Sequence, residues 1–148
     1  MNNDSTLMLA NLTSRVFRQL MRMKTEEAGL NETYRPFMMI LYRDKNINQL
    51  EFTKRIHYSA PSISLTLQKM EAEGLISKTT SSSDKRNTLI SLTEKGYLYN
   101  EKFLKVLYDV EDEVFKDISK EERSQANETL LKMIKKITEI GGMPHEDI

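Results

Sequence analysis

The chain has 148 residues, enough for one domain with a real core. It is 39% hydrophobic and 30% charged, and it has no cysteine, which excludes disulfide, thiol-redox and thiolate-metal chemistry. Its net charge is zero but unevenly spread: residues 1–42 hold 5 basic and 4 acidic side chains, residues 43–93 hold 8 and 5, and residues 94–148 hold 9 and 13. A basic centre and an acidic tail bear on partners more than the total does. No stretch reaches the roughly 18 uninterrupted apolar residues of a membrane span. The opening MNNDSTLMLANLTSR lacks the basic flank and apolar run of a secretory signal, so a cytoplasmic protein is expected.

The spacing predicts a helix over residues 5–28, with Leu9, Leu12, Val16, Leu20 and Met23 on one face and Gly29 at its end. A second, shorter helix is expected over 33–43, capped by Thr33, with Pro36 in the first turn. A third covers 47–57, opened by Asn46 or Asn48, with Leu50, Phe52 and Ile56 inward. After a break at Tyr58, Ser59 caps a fourth helix over 60–73, whose inner stripe is Ile63, Thr66, Leu67 and Met70. Gly74 ends it in the left-handed conformation.

The period then changes. Residues 75–80 and 88–92 read as strands around a polar loop at 81–87, a β-hairpin. A long helix begins at Thr93, with a near-heptad seam of Phe103, Leu107, Val110, Val114 and Ile118. Ser119 and Glu122 have capping-box spacing, and a last helix runs to about residue 140 with Leu130, Leu131, Ile134 and Ile137 apolar. The fold class is therefore mainly α: about six helices and a two-stranded hairpin wing, a winged helix-turn-helix.

This layout suits DNA. A helix fits the major groove and approaches base edges near its N-terminus. Ser59, Pro61, Ser62 and Ser64 lie near that end, and Gln68 and Lys69 project from the side opposite Ile63 and Met70. Lys85 and Arg86 stand at the hairpin tip, where a guanidinium can enter a narrow minor groove. A Ser-rich start is ordinary capping and a polar tip is ordinary solvation. Their conjunction, in this order, is what points to DNA.

The segment Asp84-Lys85-Arg86-Asn87-Thr88-Leu89-Ile90-Ser91-Leu92-Thr93-Glu94-Lys95-Gly96 resembles the wing of the MarR family of transcriptional regulators, an Asp-x-Arg followed by a strand and Leu-Thr-x-x-Gly. Residues 47–56 and 67–76 resemble the helix before the recognition helix and the recognition helix's end. The resemblance covers residues 5–140 and implies one domain over 1–148. In it, 5–32 and 94–140 supply dimerisation helices and 33–93 the DNA-binding module. It implies a homodimer on double-stranded DNA at a pseudo-palindromic operator, most often as a repressor. Arg86 would enter the minor groove and Asp84 would orient it. It also implies a small phenolic or lipophilic effector bound between the dimer helices and the winged module. Leu65, and Ser77-Lys78 after the recognition helix, depart from the family pattern, which often places basic residues there.

Tyr34, Met38 and Tyr42 are the expected effector-pocket residues, although methionines at such spacing more often fill a core. With His57 and His145 as the only histidines, no metal site and no cofactor are expected. No phosphate-cradling glycine loop or nucleophile elbow is present, so no enzyme is expected. The acidic run from Asp109 to Glu113 reads as a solvated helix face rather than a catalytic carboxylate pair. The competing reading is a winged-helix protein-interaction module without specific DNA binding, which the neutral charge and Leu65 favour.

Overall fold

The computed structural model describes residues 5–80 and 88–142. Helix α1 (Thr6–Glu27) starts at Ser5, whose hydroxyl accepts from the Met8 amide. Its buried residues are Met21 and Thr25. At about 100° per residue the stripe of Leu9, Leu12, Val16 and Met23 falls on the opposite side, and all four are exposed.

Asn31, not Thr33, opens the next segment: its side chain accepts from the Thr33 amide and starts a 3-10 turn at Glu32–Tyr34. Helix α2 (Arg35–Arg43) follows directly and buries Phe37, Met38 and Leu41. The third expected helix is shorter than the periodicity suggests. Residues Ile47–Asn48 form a strand, β1, and α3 covers Gln49–Arg55 with Asn48 as its cap. Phe52 and Ile56 are buried as expected, but Leu50 is 61% exposed. Leu50 and Phe52 are two positions apart, about 200° of rotation, so one helix face cannot hold both.

Helix α4 (Ala60–Ala72) buries Ile63, Thr66, Leu67 and Met70, the expected stripe. Strands β2 (Ile76–Thr80) and β3 (Thr88–Leu92) pair antiparallel, with Ile76 opposite Leu92 and Thr80 opposite Thr88. The sheet has three strands in the order β1-β3-β2, since Ile47 pairs with Ile90. A two-residue strand has no period to announce it. Asn46, at φ 61°, turns the chain into it, and its side-chain oxygen accepts from the Ser91 hydroxyl at 2.5 Å.

Helix α5 (Glu94–Phe115) ends before Ile118, so the last residue of the expected seam lies in the link to α6 (Lys120–Gly141). Phe103 and Val110 of the seam are buried, whereas Val114 and Ile118 are exposed.

The chain falls into two compact units, Met1–Tyr108 and Asp109–Ile148, the boundary lying inside α5. The first holds the hydrophobic core, in which Phe37, Phe52, Ile63, Leu67, Met70 and Ile90 are at most 1% exposed. In the second, Ser119 and Glu122 form the expected capping box, and the Arg123 guanidinium sits 4.2 Å over the Phe115 ring and 3.0 Å from Glu111. Helix α6 has no buried residue, and Leu131, Ile134 and Ile137 are about half exposed. No helix among the described residues is long and apolar enough to cross a membrane.

Candidate nucleic-acid interface

The site begins with the turn between α3 and α4. Ile56 and Ile63 are drawn into the core on either side of it, which fixes the angle at which α4 leaves. Ser59 is extended (ψ 150°), and its hydroxyl accepts from the Ser62 amide at 3.3 Å and lies 2.8 Å from the Ser62 hydroxyl. Pro61 sits in the first turn, where no intrahelical donor is needed. With one face of α4 committed to the core, the other is set by rotation. Pro61, Ser62, Leu65, Gln68 and Lys69 are all exposed, and Ser64, toward the side, is half-buried.

The far end of α4 is clasped. Gly74, at φ 74°, reverses the chain, and the Leu75 amide donates to the Met70 carbonyl. The Thr93 hydroxyl donates to the Gly74 carbonyl at 2.6 Å and accepts from the Gly96 amide at 3.0 Å. Lys95 donates to the Glu73 carbonyl at 2.6 Å. Gly96 packs so closely that a Cβ there would overlap the Leu75 carbonyl oxygen. The Thr-x-x-Gly pattern read in the sequence is thus the fastening between the end of α4, the root of the sheet and the start of α5. Lys78 on β2 adds an ion pair to Glu71 of α4 at 2.9 Å.

Electrostatics around α3 are set by pairing. Arg55 is bound by Asp44 and, at 3.4 Å, by Glu51, which also holds Lys54 at 3.0 Å. The Arg55 hydrogen bond holds the Asp44 carboxyl below its ordinary range, and the Lys54 hydrogen bond does the same for Glu51. Asp84, Lys85 and Arg86, expected at the wing tip, lie outside the described residues.

None of Tyr34, Met38 and Tyr42 lines the open cleft of the first unit. Tyr34 and Met38 are core residues, and Tyr42 is 49% exposed, its ring edge-on to Tyr97 at 6.2 Å. That cleft, of about 1280 Å³, is lined instead by Arg15, Arg18 and Arg22 of α1, with Met39, His57 and Tyr99. The arginines recur at spacings of 3 and 4, a legible signal that the methionine count obscured. No cluster of His, Asp and Glu suited to a metal ion occurs among the described residues.

The model of the MarR family matches residues 31–88. That segment is similar to the MarR family. It runs from the residue that caps the 3-10 turn to the first residue of β3, so it contains α4 and the whole expected hairpin loop. Among solved structures the chain is similar to a single-substitution variant of S. aureus MepR, at 23% identity and TM-score 0.75, covering 90% of this chain and 98% of that one. It is similar to apo wild-type MarR from E. coli at 16% identity and TM-score 0.75, covering 87% and 96%. The S. aureus MepR–DNA complex is similar at 23% identity and TM-score 0.69, covering 93% and 99%. These likenesses are of fold: a winged helix-turn-helix flanked by long helices.

Proposed function

We propose that this chain is a MarR-family member and a cytoplasmic DNA-binding transcriptional regulator, a repressor that grips a pseudo-palindromic operator as a homodimer. The observation that carries the reading is α4, which is anchored in the core by Ile63, Leu67 and Met70 and turns Pro61, Ser62, Gln68 and Lys69 to solvent. That is how a groove-entering helix must be mounted. Ser59 and Ser64 flank that face. Asp84, Lys85 and Arg86 complete the interface as the wing, with Arg86 in the minor groove and Asp84 orienting it. A fold relative, S. aureus MepR, has been solved on DNA. The dimer is supported by the apolar residues that α1 and α6 leave exposed, a feature of surfaces that meet a partner.

Release by a small molecule belongs to the same proposal. The cleft lined by Arg15, Arg18, Arg22, Met39 and Tyr99 favours an effector with an acidic group on an aromatic or lipophilic body. The deciding experiment is selection of duplexes from a random pool by the purified protein, followed by mobility-shift titration across salt. Binding should fall steeply as salt rises, because phosphate contacts release counterions. Arg86→Ala should weaken it by about 1–3 kcal/mol at fixed salt. No enriched duplex would overturn the reading in favour of a protein-interaction module, which the exposed Leu65 and the zero net charge favour.

A further inference from the structure

Leu65 is an apolar side chain at the middle of the outward face of α4. It stands about 200° around the helix from Ile63, almost opposite the buried stripe, and it is 53% exposed. Pro61 lies one turn before it, and Gln68 and Lys69 one turn after. No core contact accounts for it, because the core lies on the other side.

We infer that Leu65 reads the 5-methyl group of a thymine in the major groove, once in each half-site. The inference rests on the DNA-binding reading above and deepens it. A leucine has no donor or acceptor. Pressed against the edge of guanine, cytosine or adenine, it would strip water from polar atoms and return nothing. The thymine methyl is the apolar group that a base pair presents in the major groove. An apolar residue at the centre of the groove-facing surface therefore selects thymine by contact and disfavours the other bases by desolvation. Gln68, three residues on, carries the amide that suits adenine N6 and N7, so the two side chains together favour an A·T-rich core in each half-site.

The test uses the full-length protein and a duplex it selects from a random pool. Each thymine is replaced in turn by deoxyuridine, which deletes the methyl and leaves every hydrogen-bonding group in place. Wild-type affinity should drop roughly fourfold at one symmetry-related position, the loss appropriate to uncovering one methyl-sized group. Leu65→Ala should bind the thymine and uracil duplexes at that position equally well, and its melting temperature should match the wild type, since the side chain is outside the core. If every uracil duplex binds wild type as tightly as the parent, or if Leu65→Ala keeps the full thymine preference, the inference is overturned while DNA binding stands. If no duplex is selected at all, the DNA-binding reading falls and takes this inference with it.

Discussion

The Tyr34 hydroxyl donates to Glu73 Oε1 across 2.6 Å, joining the turn that opens α2 to the residue that closes α4. Tyr34 is 2% exposed, and its ring lies 6.3 Å from that of Tyr99, whose hydroxyl accepts from the Asn31 amide. Thirty-nine residues of sequence separate the two partners. Tyr34→Phe removes the donor and keeps the ring. It should cost about 1.5–3 kcal/mol of stability, the range for a hydrogen bond to a charged acceptor, measured by denaturant unfolding.

The same phenol provides a pH signature. Burial, reinforced by the Glu73 carboxylate, pushes it from 10.0 to about 12. The folded state therefore holds this proton more tightly than the unfolded chain. Its contribution is complete below pH 10 and is lost as the pH climbs through 12. Wild-type stability should fall with pH in that window, and Tyr34→Phe should show a shallower fall. Equal slopes in the two proteins would show that this group does not titrate as described.

Gly96 faces the backbone of Leu75 with no room for a side chain. Gly96→Ala forces either the root of the sheet or the start of α5 to move. Overpacking of a site this rigid should cost about 3 kcal/mol or more. A thermal melt within a degree or two of the wild type would refute the clasp as a structural necessity.

The capping box at α6 predicts a smaller effect. Ser119 accepts from the Glu122 amide at 3.2 Å, and the Glu122 carboxylate accepts from the Ser119 amide at 2.9 Å. Ser119→Ala should cost about 1 kcal/mol. The backbone hydrogen bond from Ser119 holds the Glu122 carboxyl below its ordinary 4.5. The stabilisation is present above pH 4.5 and disappears as the pH falls through the depressed folded value, so the cost of Glu122→Gln should shrink in acid.

Leu131 is 54% exposed on α6. In the proposed homodimer, Leu131→Glu should leave the chain folded and reduce its sedimenting mass from dimer toward monomer. It should also weaken operator binding, because one module then meets one half-site. A dimer of undiminished mass would place the interface elsewhere.

The sequence was most legible where one residue type serves one local purpose. Ser59, Gly74, Ser119 and Glu122 announce caps because capping depends on neighbours three residues away. The stripe of α4 was legible for the same reason. Leu50 departs from the expected inward face because a helix of seven residues gives too little period to separate inside from outside. The strand at Ile47 has no local signal because its partner, Ile90, is remote in sequence. Tyr34 and Met38 are buried in the core, and side chains suited to a ligand cavity are equally suited to a core.

The clasp at Thr93 has one more consequence. Gly74, Thr93 and Gly96 tie three elements at a single knot, so the end of α4 and the beginning of α5 share one pivot. A push that tilts the first turns of α5 has no slack to spend there. It arrives at α4 as rotation, and under the proposed function a few degrees at the knot become a misplacement of Leu65 and Gln68 against the bases.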